Sequence, residues 1–191
     1  YSTKPYNIVE KLSMNYPDMP IINSEPCCEE MGHFGKGAYG RWHQYDIRSV
    51  AYKSVLSGTN AGIAYGAAGI YSWHKINKGT TAGLGDSFDT PKPWEQALLF
   101  PGAWDYGYLK NLMESLKGYN LIPRQDLLIN DTEEIRVASI DESVILVYVP
   151  HNTKVKLKMD LTELNMFDAL KVATLTSARG LTKNLEDRYE V

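Results

Sequence analysis

The sequence predicts an α/β part followed by a small antiparallel β-sandwich. Three observations carry this. Up to about residue 117, segments with helical periodicity alternate with short apolar runs, the pattern of parallel strands buried on both faces and covered by helices. From about residue 125 the apolar period shortens to two, the period of strands. The first part also holds just two such strands, which cannot cover their own faces or satisfy both edges, so it reads as the last portion of a larger α/β body encoded upstream. The change of texture falls within 118–130, and the division is placed at 1–122 and 123–191.

Residues 5–14 set Tyr6, Val9 and Leu12 on one helical face, and Asn15-Tyr16-Pro17 ends the helix. The apolar run Met19-Pro20-Ile21-Ile22-Asn23, within 19–24, suits a buried parallel strand. A loop rich in Gly, His and aromatics fills 29–44. Asp46 serves as the N-cap of the next helix, through Ile47, Val50, Ala51 and Val55 to Gly58 as its stop. Residues 61–66 form a second buried strand, and 67–92 a loop containing Ile70, Tyr71 and Trp73. Helical pieces resume at 93–100 and 102–117, with Leu109, Leu112, Met113 and Leu116 on one face. Strands follow around Ile135/Val137, at 144–149 and around Val155/Leu157/Met159, with a turn at 150–153 between the last two. A fourth strand is expected around Leu170, Val172 and Thr174.

Composition narrows the functional classes. A net charge of −3 offers no basic excess to attract phosphate backbones, so nucleic acid is not an expected partner. No run of about 18 apolar residues exists, so no membrane span is expected. The two cysteines, Cys27 and Cys28, are adjacent, with Cα atoms about 3.8 Å apart across one peptide, too close for ordinary disulfide geometry. A free, partly buried pair is expected. The chain opens at Tyr1 without Met or a signal-like segment, which reads as a truncated or processed start.

Glu25 is the sharpest candidate for chemistry. In barrel enzymes the reacting groups sit at the C-terminal ends of the strands, and Glu25 follows the first strand directly, stiffened by Pro26. A glycosidase uses two such carboxylates, one to attack or to activate water and one to protonate the leaving oxygen. A salt-bridged loop carboxylate is the competing reading of the same position. Trp73 and His74 follow the second strand, where a Trp can floor a sugar subsite or pack as core. Glu29 and Glu30 can line the same pocket or remain solvated, and Asp86 and Asp89 share that standing in a Gly-rich loop. His33, His43 and His74 lack metal-ligand spacing, so no metal is expected. Gly83-Leu84-Gly85 lacks the strand and helix that a phosphate loop needs.

The strings Pro20-Ile21-Ile22-Asn23-Ser24-Glu25-Pro26, Glu29, Tyr45-Asp46-Ile47-Arg48, Ala51-Tyr52, Leu56-Ser57-Gly58, Ala61-Gly62, Tyr65-Gly66 and Gly69-Ile70-Tyr71-Ser72-Trp73 together resemble the apiosidase-like family of (β/α)8-barrel (TIM-barrel) glycoside hydrolases. That family is often followed by a small domain labelled collagen-binding. The resemblance covers roughly 15–125 well and the tail more loosely. It implies that 19–24 and 61–66 are the seventh and eighth barrel strands. Glu25 is then the nucleophile of a retaining mechanism, with its acid/base partner after the fourth strand, upstream of this chain. Asn23, Glu29, Tyr65, Trp73 and His74 are the implied substrate-binding residues, Trp73 lying under the sugar. The implied substrate is a carbohydrate, a side-chain sugar of a plant-type polysaccharide. No cofactor is implied, and the implied location is periplasmic or secreted. Cys28 stands where the family commonly has an aromatic, and Tyr71 and Lys53 where Trp is expected, which alters the pocket wall rather than the reaction class. The competing function is a non-catalytic carbohydrate- or matrix-binding protein on a degenerate barrel scaffold.

Overall fold

A computed structural model describes residues 4, 6–33, 40–71, 73–76, 91–141 and 144–158. Helix α1 (Tyr6–Asn15) buries Tyr6 and Val9 and stops just before Pro17, whose ring disfavours helical backbone at the residue before it. Strand β1 (Ile22–Asn23) and strand β2 (Gly62–Ile63) run parallel, Ile22 opposite Gly62 and Asn23 opposite Ile63. Both are shorter than the expected 19–24 and 61–66, and the expected burial of the first is corrected: Met19 and Ile22 are 58% and 59% exposed. Among the described residues β1 and β2 pair only with each other. One face of the pair meets helix α2 (Gln44–Leu56), where the Asn23 side-chain amide donates to Ser54 Oγ at 3.0 Å. Alternation along the strand turns Ile22 to the opposite face.

The start of α2 is also corrected. Its N-cap is His43, three residues ahead of Asp46, and Asp46 occupies the third helical position, where its carboxylate accepts the His43 N–H at 2.9 Å. A short acidic side chain serves the first turn from either place, so the sequence located the turn but not the register. The expected stop holds. Gly58 has φ +112°, and a Cβ there would lie 2.1 Å from Ser13 Oγ, so both its backbone and its contact with the end of α1 require glycine.

Helix α3 (Trp94–Ala97) is a shorter piece than the expected 93–100. Helix α4 (Pro101–Ser115) opens on proline at a position where no N–H is needed. Strands β3 (Leu121–Pro123), β4 (Arg136–Ile140) and β5 (Val144–Tyr148) form one antiparallel sheet in that order. The three-residue β3 was not expected from the sequence, and it crosses the 122/123 division. The expected turn at 150–153 does not return the chain along β5. Leu157 instead bridges Leu128, with the Ile129 N–H donating to Lys156 O at 2.9 Å and the Lys158 N–H to Leu127 O at 2.7 Å. Pro150 cannot donate a ladder hydrogen bond, and Asn130 clasps the returning segment through Lys154 O (2.8 Å) and the Lys156 N–H (2.7 Å). The strand expected around 170–174 lies outside the described residues, as do Phe34, Asp86 and Asp89. Among the described residues no helix is long and apolar enough to cross a membrane.

Helix α2 is buried along almost its whole length and organises the core. Ile47 and Val50 pack with Cys27, Met31, Trp42 and Ala68 beside the strand ends. Ala51 and Tyr52 meet Leu109 of α4, and Tyr52 stacks on Tyr148 of β5 at 5.1 Å. Leu56 joins Leu121, Ala138 and Ile140 of the sheet. The same helix thus faces both the α/β part and the β-rich part.

A buried polar cluster ties α1 to the sheet. Arg136 sits over the Tyr6 ring, its guanidinium carbon 3.8 Å from the centroid, pairs with Glu10 and donates to Glu133 O at 2.9 Å. Lys53 of α2, its side chain 3% exposed, pairs with Glu134. Tyr6 is fully buried and donates its hydroxyl to Glu133 at 3.2 Å. Tyr6→Ala is therefore expected to lower the unfolding free energy by about 3–5 kcal/mol. Tyr6→Phe keeps the ring under Arg136 and should lose about 1 kcal/mol. Urea unfolding of both variants checks this, and equal losses would show that the ring contributes nothing.

Candidate active site

Because β1 and β2 are parallel, the segments leaving their C-terminal ends emerge on the same side and converge, the arrangement in which α/β folds build their sites. The first segment runs Ser24-Glu25-Pro26-Cys27-Cys28 and the second Ala64-Tyr65-Gly66. Between them lies a cavity of about 250 Å³ lined by Ser24, Glu25, Pro26, Cys28, Ala64, Tyr65, Gly66 and Tyr71. Successive residues of an extended segment point to opposite sides, and the two cysteines obey that rule. Cys27 is 1% exposed in the core, and burial pushes its thiol up to about 12. Cys28 turns to the cavity wall, its thiol raised first by burial and then by the negative charge of Glu25. Both thiols are free. A Cβ on Gly66 would stand 2.6 Å from Cys28 Sγ, so the two segments touch where glycine leaves room.

Glu29 fixes the two segments to each other. Its N–H donates to Gly66 O and its carbonyl accepts the Ala68 N–H, both at 2.8 Å. Its side chain is 2% exposed. The carboxylate accepts the Tyr65 hydroxyl at 2.6 Å and the Gly102 N–H at 3.0 and 3.1 Å. Gly102 belongs to the first turn of α4, where unpaired N–H groups and the helix dipole favour an anion. Burial raises the Glu29 carboxyl above its ordinary range, and the hydrogen bonds from Tyr65 and Gly102 oppose that rise. The Tyr65 phenol is raised in turn, by burial and by its bond to Glu29, which keeps it protonated. Tyr106 meets the Tyr65 ring edge-on at 5.4 Å and holds its plane.

The structure brings together some of the sequence-predicted site residues and separates others. Glu25 and Tyr65 line one cavity. Glu29 lies behind Tyr65 in the interior and reaches the cavity through it. Asn23 directs its amide away, to Ser54 of α2. Trp73 is 55% exposed outside the cavity lining, stacked on Trp94, and His74 is half-buried beside it. Cys28 and Tyr71, which the resemblance marked only as departures that alter the pocket wall, both line the cavity. Alternation at the adjacent cysteines was a usable signal, since one of the pair had to leave the core. Tyr71 lies in a turn, where no periodicity reports direction. Among the described residues no group of three or more His, Cys, Asp or Glu side chains is placed to hold a metal ion. Glu25 is the single carboxylate among the described residues lining the cavity, placed to act as a nucleophile or as a base.

Residues 1–120 match the family model described as "Apiosidase-like, catalytic domain". No curated protein matches the sequence. Among solved structures, the chain is similar to a protein titled "Glycoside hydrolase", at 29% identity and TM-score 0.66, over 76% of this chain and 32% of that one. It is similar also to a glycoside hydrolase family 5 structure from Bacteroides vulgatus ATCC 8482, at 26% identity and TM-score 0.66, over 76% of this chain and 31% of that one. The chain thus spans about a third of the length of the structures it matches.

The Glu29 contact generates two expectations. A Cβ on Gly102 would fall 2.4 Å from Glu29 Oε2 and 2.9 Å from Ile47 Cγ2. Gly102→Ala should accordingly cost about 1–3 kcal/mol in urea unfolding, and should cost less in a Glu29→Ala background that removes the clashing carboxylate. The second concerns pH. Because burial raises the folded carboxyl above its unfolded value, the folded state holds more protons between the two. Stability contributed by Glu29 is therefore full below the unfolded value and declines as pH rises from about 4.3 to the folded pKa. Glu29→Gln abolishes that decline, so its stability relative to the parent should improve between pH 4 and pH 7. A difference between parent and variant that stays constant over that range would show that Glu29 does not titrate with folding.

Proposed function

The chain belongs to the apiosidase-like family, and on that premise we propose that it forms the C-terminal portion of a (β/α)8-barrel glycosidase with Glu25 as the nucleophile of a retaining reaction. The observation that supports this most is the position of Glu25, past the C-terminal end of β1, in a cavity shared with the segment leaving the parallel neighbour β2. In this reading β1 and β2 are the seventh and eighth barrel strands, and 123–191 form a small β domain. The similarity to two glycoside hydrolase structures supports the reaction class.

The reaction proceeds in two displacements. A Glu25 carboxylate oxygen attacks the anomeric carbon while a second carboxyl group protonates the departing glycosidic oxygen, leaving a glycosyl ester on Glu25. That second group, now a carboxylate, takes a proton from water, and the water oxygen displaces Glu25 to regenerate it. The second carboxyl group is assigned to the part of the protein outside these residues, about 5–5.5 Å from Glu25. Tyr65 and Tyr71 form the aromatic wall against which the sugar rests, and Glu29 acts by holding Tyr65. The substrate class that fits the family is a side-chain sugar of a complex, plant-type polysaccharide.

In the complete protein, Glu25→Ala is expected to lower kcat/KM on aryl glycosides and pectic oligosaccharides by on the order of 10⁴-fold or more. Its melting temperature should stay within about 2 °C of the parent's, since a residue at a cavity wall leaves the core packing unchanged. Added azide should restore part of the turnover by occupying the space of the lost carboxylate, giving a glycosyl azide of inverted configuration. Turnover within about tenfold of the parent, in a folded variant, excludes Glu25 as nucleophile. A parent that binds sugars without cleaving any would turn the assignment to a carbohydrate-binding protein on the same scaffold.

A further inference from the structure

Glu29 is held by neutral groups. The Tyr65 hydroxyl donates to its carboxylate at 2.6 Å and the Gly102 N–H at 3.0 and 3.1 Å, and among the described residues no lysine or arginine pairs with it. Arg48 of α2 pairs instead with Asp105 of α4, at 3.5 Å. Neutral dipoles stabilise an anion without cancelling its charge. Glu29 is 2% exposed within these residues alone, and any further chain packed around them can only hide it more. Its field is therefore weakly screened.

Holding an aromatic ring in place does not require a charge. An amide in the position of Glu29 would accept the same phenol hydrogen bond, and burying an ion costs far more than burying an amide. What the carboxylate adds is polarisation. A hydroxyl that donates to a carboxylate at 2.6 Å makes a charge-assisted bond, which draws its hydrogen outward and leaves the oxygen and ring richer in electrons. Burial first, and then the bond to Glu29, raise the phenol and keep its proton, so Tyr65 is an electron-rich neutral ring and not a phenolate. Tyr65 lines the cavity shared with Glu25. An electron-rich aromatic wall attracts a cation. In glycoside cleavage the sugar ring carries positive charge at the transition state and not in the ground state.

We propose that Glu29 and Tyr65 form a charge-selective wall of the Glu25 cavity, Glu29 acting through Tyr65 to favour a sugar ring that carries positive charge over a neutral one. The catalytic consequence rests on the glycosidase reading above, but the selectivity itself is a binding property. Calorimetry at pH 7 is run on the complete protein carrying Glu25→Gln, which removes the competing carboxylate. Iminosugars protonated at the ring nitrogen are compared with methyl glycosides of the same configuration. Adding Glu29→Gln is expected to weaken iminosugar binding about tenfold and methyl glycoside binding less than about twofold. Tyr65→Phe keeps the ring but loses the polarising bond, and should show the same selective loss. On top of Tyr65→Phe, Glu29→Gln should then change iminosugar binding less than about threefold. With Glu25 intact, Glu29→Gln should lower kcat about tenfold or more and leave KM within about twofold. Equal weakening of both ligand classes would make Glu29 a structural support and overturn the proposal. So would iminosugar affinity that ignores Glu29→Gln, no iminosugar binding at all, or an unchanged kcat in a protein that cleaves. A full Glu29→Gln loss in the Tyr65→Phe background would overturn the route through Tyr65, and the proposal with it. A preference for iminosugars that depends on Glu29, in a protein that cleaves no glycoside, would uphold the wall and refute the glycosidase reading.

Discussion

The buried carboxylate of Glu29 is the constraint on which the site depends. Burying a carboxylate is unfavourable unless its charge is met by donors, and here the donors are the Tyr65 hydroxyl and the first turn of α4. Each donor brings a different element with it. Tyr65 belongs to the segment leaving β2, Gly102 to α4, and Glu29 to the segment leaving β1. One side chain therefore fixes three elements, and its own main chain adds the bonds to Gly66 and Ala68. Removing any donor leaves an incompletely solvated carboxylate in the interior, so the three cannot shift independently. Glu25, four residues before Glu29, inherits that placement, as does the facing wall of the cavity.

Helix α2 extends the same constraint to the rest of the molecule. Its Ser54 receives Asn23 from β1, its Ile47 and Val50 pack under the cysteine segment, and its Leu56 and Tyr52 reach the antiparallel sheet. A helix buried on all sides would normally be uniformly apolar, but α2 carries a buried lysine. Lys53 is tolerated because Glu134, just ahead of β4, supplies a counter-charge, and Arg136 is met in the same way by Glu10 of α1. The β-rich part is thereby tied to the α/β part by specific ion pairs and by a strand, β3, that follows α4 through the short 3-10 turn Gly118–Asn120. Such pairs add less net stability than apolar packing of equal volume, but they accept one docking arrangement and penalise others by leaving a charge buried alone.

How much of this was legible in the sequence follows from which signals are local. The helices were legible because their apolar period of 3.6 and their stops at Pro17 and Gly58 are encoded within a few residues. Glu25 was legible as a candidate because a polar residue directly after a short apolar run is a local pattern. Family resemblance supplied the role that the pattern could not. The Asp46 register was misread because a carboxylate stabilises the first turn from the N-cap and from the third position alike. Strand β3 was invisible because three residues show no period, and its partner β4 lies thirteen residues further on. The pairing of Leu157 with Leu128 was misread because a turn signal at 150–153 shows that the chain bends, not where it returns. Asn130 decides that, from a distance of two dozen residues. The fate of Glu29 was the least legible of all. Next to Glu30 it reads as one of two loop carboxylates that line the pocket or stay solvated, and only the arrival of Gly102 and Tyr65 from elsewhere distinguishes them.

That distinction between neighbouring acids explains the division of labour at the cavity. Glu25 and Glu29 lie four residues apart on the same segment, yet one lines an open space and the other is sealed behind Tyr65. A group that must form and break a bond to substrate has to present its oxygens to the cavity, whereas a group that positions others is best removed from water, where each hydrogen bond is stronger. The sealed acid makes the phenol ring of Tyr65 a fixed wall, because the hydroxyl that could rotate toward water is held inside. Small residues at Ser24, Ala64 and Gly66 then leave the volume between the walls empty. The geometry of the cavity is thus set from behind by a carboxylate sealed away from it, and the segment carrying Glu25 cannot move toward or away from Tyr65 without first breaking the Glu29 contacts that join them.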